Sequence, residues 1–159
     1  MQQNSAPLGL TFALLTRQYI SILSKRLTDL PIERYFYPFW LIAEYSGKIG
    51  QQQLAELLNA DKVTVVRILD YLEKEGFVKR KTNPDDRRCH LLHVTKKGEP
   101  FVEKIGRAIV GTDKLFLSFV DNPTFAHEIE YLGNKLKEIP GDRIALHYDK
   151  IAEKNENDN

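Results

Sequence analysis

Residues 50–98 read GQQQLAELLNADKVTVVRILDYLEKEGFVKRKTNPDDRRCHLLHVTKKG. Gln52–Leu58 has the spacing of a short helix, with Leu54, Ala55 and Leu58 on its inner face. Asn59-Ala60-Asp61 is a tight turn. Asn is the non-glycine residue that best tolerates a left-handed backbone, and Asp61 can cap the next helix. That second helix is predicted to run to about Glu75, because Val65, Ile68, Leu69 and Leu72 fall at i, i+3, i+4 and i+7. Gly76 is its stop signal. Phe77–Thr82 and Arg88–Val94 have strand character, and Asn83-Pro84-Asp85-Asp86 between them is turn chemistry. Thr95 caps a further helix. The order helix, turn, helix, basic hairpin is a winged helix-turn-helix.

The flanks read as helices. From Leu8 to about Leu30, Leu8, Phe12, Leu15, Tyr19, Ile22, Leu23 and Leu27 recur at helical spacing. The reach of this helix suits packing on a partner subunit. Residues 32–46 contain six of the sixteen aromatics, and Phe39–Tyr45 reads as helix, starting or bending at Pro38. After Thr95 a helix is predicted from about Lys96 to about Val120, broken by Asp121-Asn122-Pro123. Another is predicted over Thr124–Glu138, with Ile129, Leu132 and Leu136 as its stripe. Residues 142–152 are expected to add a helical turn or two. Residues 1–7 are polar and end in Pro7, which suits a disordered lead or a first helical position; residues 153–159 are polar and expected to be disordered.

The 159 residues therefore suit one domain, mainly α with a small β-hairpin wing. Residues 35–95 form the reading head; residues 8–34 and 96–152 form dimerisation helices. The net charge of +1 points to no partner, but its distribution does. Residues 62–97 hold ten Lys/Arg and five Asp/Glu, a net of +5, leaving −4 for the rest. Cys89 is the single cysteine, so no intramolecular disulfide forms, which fits a reducing cytosol. No Lys or Arg precedes Arg17, which speaks against a signal peptide. The apolar run Leu8–Leu15 is far short of the roughly 20 residues that cross a bilayer. A cytoplasmic location is expected, with no membrane partner.

Duplex DNA asks for a helix that fits the major groove and for cations and backbone amides that hold phosphates. A narrow minor groove also attracts Arg. Lys62 starts the second helix; Val63, Thr64, Val66 and Arg67 lie on or beside its outer face. Gln52 and Gln53 sit at the N-terminus of the preceding helix, where orphan N–H groups point outward. Lys79, Arg80, Lys81, Arg87 and Arg88 decorate the hairpin. A solvated turn, with Asp85 and Asp86 merely pairing with the arginines, is the rival reading for the tip; its position after a helix-turn-helix favours DNA.

The segment LAELLNADKVTVVRILDYLEKEGFVKRKTNPDDRRCHLLHVTKKG, about 45 residues, resembles the core of the MarR family of bacterial transcription regulators. The shared pattern is a Leu-Ala helix start, Asp-Lys-x-Thr-Val, a helix ending Leu-Glu-Lys-x-Gly, and an Asp-Arg-Arg wing. The resemblance implies a homodimer whose first and last helices interlock. It implies that Asp86 orients Arg88, that Arg88 enters the minor groove, and that Arg67 contacts bases or phosphates. It also implies repression from a pseudo-palindromic operator, with release by a small aromatic or anionic effector. Asn59 stands where the family usually has Gly. Val63 and Val66 make the reading face more apolar than usual, favouring thymine methyl groups. The first helix has no cysteine, so peroxide sensing is not supported.

Other candidates are weaker. Cys89 is either a redox sensor activated by Arg87 and Arg88 or a small half-buried strand residue. His90 and His93 point to opposite strand faces and make a poor metal pair; no metal or cofactor is expected. Tyr35, Tyr37, Phe39 and Trp40 either line an effector pocket or pack the core, and Arg34 could pair with an anionic ligand. The chain has no Gly-rich phosphate loop and no nucleophile-plus-base spacing, so catalysis is unsupported. The remaining alternative is a winged helix used as a protein–protein module without operator binding.

Overall fold

The computed structural model describes residues 6–32, 35–136 and 138. Six helices and a two-stranded hairpin succeed one another: α1 (Leu8–Arg26), α2 (Phe36–Glu44), α3 (Gln51–Leu57), α4 (Lys62–Lys74), β1 (Val78–Thr82), β2 (His90–Val94), α5 (Glu99–Leu117) and α6 (Phe125–Leu136). The expected helical turns at 142–152, the polar ends at 1–5 and 153–159, and Arg34 lie outside the described residues.

α1 stops at Arg26 rather than near Leu30. Leu27 donates its N–H to Ser24 O at 3.0 Å, and Leu30 to Leu27 O at 3.0 Å. These tight i→i+3 turns keep Leu23, Leu27 and Leu30 pointing inward, so the apolar spacing alone does not distinguish them from helix. α2 begins before Pro38, which occupies its third position. There the missing N–H would have had no helical partner, so the helix is not bent. α5 begins at Glu99, three residues after the expected start. Thr95 instead organises a turn, its hydroxyl oxygen accepting from Gly98 N at 3.2 Å and its own hydroxyl donating to Gly76 O at 2.7 Å.

The α3–α4 turn agrees with the sequence pattern. Asn59 has φ 48°, and Asp61 caps α4, accepting from Thr64 N at 2.9 Å and from the Thr64 hydroxyl at 2.7 Å. α4 ends at Gly76, φ 75°, with Gly76 N–H on Glu73 O and Phe77 N–H on Leu72 O, both 2.9 Å. This pair of hydrogen bonds is a Schellman closure.

β1 and β2 pair antiparallel, with Val78 opposite Val94 and Arg80 opposite Leu92. The other edge of β2 is also paired, which the sequence did not signal. Gly47 N–H reaches Leu92 O at 2.7 Å, Leu92 N–H reaches Ile49 O at 2.9 Å, and Gly50 bridges Leu91. The segment entering α3 thus forms a third, very short edge of the wing.

One core holds these parts together. Phe39 and Ile42 of α2, Leu54 of α3, Ile68, Leu69 and Leu72 of α4, Phe77, Leu92 and Ile105 of α5 are all essentially inaccessible. α1 and α2 both pack on α5. α6 buries no residue at all, and Leu8, Leu10 and Leu14 of α1 remain exposed.

Candidate nucleic-acid interface

The outer face of α4 starts at its cap. Asp61 holds the first turn, and its carboxyl lies below the usual carboxylate range because the Thr64 hydroxyl and N–H both donate to it. Thr64 is half-buried and its hydroxyl proton is committed to that cap, which removes it as a donor to bases. Val63 is the exposed apolar residue of this face, at 68% accessibility. Lys62 and Arg67 are exposed, and Val66 is half-buried. The first turn therefore presents methyl groups flanked by cations.

Gln52 and Gln53 open α3, both exposed. Gln53 Oε1 accepts from Gly50 N at 3.0 Å and closes the helix start. Gln52 Nε2 donates to Glu56 Oε1 at 3.3 Å.

The wing tip is built on its own side chains. Asn83 Oδ1 accepts from Asp85 N at 3.0 Å, and Asp86 Oδ1 from Arg88 N at 3.0 Å. Asn83 N donates to Cys89 O at 2.9 Å, and Cys89 N to Asp86 O at 3.0 Å. Asp86 thus holds the backbone of Arg88 and fixes where its side chain leaves the turn. Lys81, Asp86, Arg87 and Arg88 are all exposed.

Two expectations change here. Cys89 is exposed and lies in the turn before β2, not half-buried on a strand. Its thiol faces Asp86 Oδ2 at 3.4 Å, and that hydrogen bond, with the carboxylate's charge, raises its pKa. A thiol held protonated is a poor nucleophile, so activation by the neighbouring arginines is not what this geometry provides. Arg80, grouped with the hairpin cations, is instead tied to α4. Its guanidinium bonds Asp70 Oδ1 at 3.1 Å and Glu73 Oε2, and its N–H donates to Glu73 Oε1 at 2.8 Å. Strand alternation puts it on the other face from Lys79 and Lys81 but does not reveal that α4 lies there.

The four aromatic candidates divide. Tyr35, 5% accessible, packs its ring at a tilt against Tyr71 at 5.0 Å, and Phe39, fully buried, packs edge-on against Phe77 at 6.2 Å. Both are core, because α2 turns that side inward. Tyr37 and Trp40 are half-buried. Of the four, only Trp40 borders a groove of about 530 Å³ between α2 and α5. Glu44, Glu103, Arg107 and Lys114 give that groove both signs of charge, and Val102, Gly106 and Val110 also line it. Nearby, Tyr19 donates to Asp113 at 2.5 Å and shares a hydrogen bond with Tyr37; burial first, then these bonds, hold its phenol protonated.

Strand alternation separates His90, exposed, from His93, half-buried against Gly47. Burial, then Lys81 and Lys79, lower the His93 pKa. Among the described residues no group of three or more His, Cys, Asp or Glu could hold a metal ion. No helix among them is long and apolar enough to cross a membrane.

A capped second helix with an exposed outer face, followed by a basic hairpin, defines a winged helix-turn-helix fold. Residues 41–90 match the model of the MarR family, and solved structures of regulators from that family share the fold. The reduced form of MarR from E. coli is 25% identical, with 84% of this chain and 98% of that one covered and a TM-score of 0.64. CouR from Rhodococcus jostii RHA1, bound to p-coumaroyl-CoA, is 17% identical over 89% of this chain and all of that one, TM-score 0.74. S. aureus MepR, in a DNA complex, is 15% identical over 85% of this chain and all of that one, TM-score 0.73. At such identities CouR and MepR share the fold.

Proposed function

We propose that this protein is a cytoplasmic, ligand-responsive repressor that binds a pseudo-palindromic operator as a homodimer and acts by binding, not catalysis. The observation that carries the reading is the joint presentation of Val63 and Arg67 on α4 with Arg87 and Arg88 at the wing tip. Residues 35–95 are the reading head. α1, α5 and α6 are the dimer helices. Exposed apolar residues of α1, α6 and Phe119, the last 81% accessible, support that assignment. In solution they are best covered by a second copy.

Lys62, Val63, Val66 and Arg67 would meet the major groove. Arg88, positioned by Asp86, would enter the minor groove, with Arg87, Lys81, Gln52 and Gln53 on phosphates. Thr64 serves the cap instead. An effector would sit in the groove beside Trp40, where Arg107 and Lys114 suit an anionic group. CouR's bound p-coumaroyl-CoA and MepR's DNA support the two halves of this reading by analogy. A wing used solely for protein contacts leaves the basic tip without a task.

The test is selection of bound fragments from the source genome, then duplex-binding titrations over a range of salt. Arg88→Ala should weaken operator binding by roughly 1–3 kcal/mol, and Arg87→Ala by less. Undiminished binding by both variants would remove the wing from the interface, and no duplex selected at all would refute operator recognition.

A further inference from the structure

The charge pattern of the wing hides a division among its cations. Arg80 lies mid-strand, opposite Leu92. Its backbone N–H points away from β2 and is taken by Glu73 Oε1 at 2.8 Å. Its guanidinium is held by Glu73 Oε2 and by Asp70 Oδ1 at 3.1 Å. Asp70 and Glu73 stand at i and i+3, on one side of α4. Arg80 and Glu73 side chains are 27% and 28% accessible, so the pair is partly withdrawn from water. Two carboxylates on one guanidinium leave this cluster with a net negative charge. A DNA phosphate approaching Arg80 would have to displace or face both acids.

The chain between α4 and β1 is only Glu75-Gly76-Phe77, with Gly76 in the left-handed region. Such a joint turns the chain sharply but leaves the angle of the hairpin to its contacts. Arg80 supplies contacts to both helix carboxylates from the middle of the strand. Resting on the operator-binding reading, we propose that Arg80 is a positioning residue. It clamps the wing to the recognition helix and so fixes where Arg88 meets the minor groove, without touching phosphate itself.

The experiment uses the full chain and the operator duplex from the genomic selection. Arg80→Met keeps the apolar stem and removes the clamp. Binding should fall by about fivefold or more, the lower limit for a delivered minor-groove arginine. The slope of log affinity against log salt should not change. Arg88→Ala should lose much less affinity in the Arg80→Met background than alone, and Arg80→Lys should restore part of the binding. A phosphate ligand would behave differently: its removal lowers the slope by about 0.9 and leaves the Arg88→Ala loss unchanged. Either result, or unaltered binding, overturns the proposal.

Asp70→Asn with Glu73→Gln supplies a second test should Arg80→Met fail to fold. Removing two negative charges near DNA should tighten binding by electrostatics alone. The clamp requires the reverse, weaker binding with the same loss of Arg88 dependence; tighter binding overturns it. Hydrogen exchange on the free protein reads the clamp without DNA. The β1 and β2 amides should exchange at least tenfold faster in Arg80→Met while the α4 amides hold their rates. Unchanged hairpin exchange sinks the clamp, whereas a wild-type chain that binds no duplex sinks only the operator reading.

Discussion

Gly98→Ala is the most direct test of how the wing is seated. Gly98 is buried where α5 begins, with φ −80° and ψ −30°, so any residue could adopt its backbone. What forbids a side chain is space. A Cβ there would lie 2.7 Å from Phe77 O, 3.0 Å from Val94 Cγ1 and 3.2 Å from Phe39 Cζ. The side-chain contacts can give by tenths of an ångström. The Phe77 carbonyl cannot move freely, because it accepts the Thr95 N–H at 3.0 Å. Gly98 is itself held by its N–H on Thr95 O at 2.9 Å. Overpacking against a fixed backbone costs about 2–3 kcal/mol. The smaller unfolded-state entropy of Ala returns about 0.4–1 kcal/mol. The net loss of about 1–2.5 kcal/mol corresponds to a fall in Tm of about 2–10 °C for a chain of this length. Thermal melts by circular dichroism at matched protein concentration would measure it. An unchanged or raised Tm would show that α2, β1, β2 and α5 do not meet as tightly as described.

Three further outcomes are expected. Replacing single operator dT by dU removes one methyl group; at the position under Val63 affinity should fall about fourfold, and Val63→Ser should abolish the difference, whereas equal sensitivity in both proteins would dismiss the methyl contact. Leu10→Glu with Leu132→Glu should convert the protein to a helical monomer in sedimentation, since both residues are already exposed in the single chain; a persistent dimer would place the interface elsewhere. His93 favours its neutral form in the folded chain, so its contribution is full above the ordinary value of 6.5 and is lost as pH falls toward the lowered folded pKa. Urea midpoints should therefore drop between about pH 7 and pH 5, less steeply in His93→Gln, and parallel profiles would remove His93 as a cause.

The recognition helix was legible because three local signals agree: the stripe Val65, Ile68, Leu69, Leu72, the Asp61 cap and the Gly76 stop. Asn59 in its left-handed turn belongs with them. The paired outer edge of β2 was not legible, because Gly47–Gly50 carries no alternation and its partners lie over forty residues away. The anchoring of Arg80 on α4 was not legible for a related reason. Strand periodicity names a side, but only the packing of α4 brings Asp70 and Glu73 to it. Among the aromatics, composition did not tell Trp40, which borders the groove, from Phe39 in the core. Helix ends drifted by a few residues where i→i+3 turns continue an apolar spacing, as at Leu27 and Leu30.

Cys89 is the chain's single cysteine and stands exposed at the wing tip. In the proposed dimer that gives two thiols, one at the far end of each reading head. A nitroxide or a fluorophore on each would make the protein its own molecular ruler, with no engineered residue. The Asp86 contact that keeps the thiol protonated slows its alkylation, so labelling proceeds best on the alkaline side of neutrality. The distance distribution between the two labels would then report the separation of the wings in free, effector-bound and operator-bound samples.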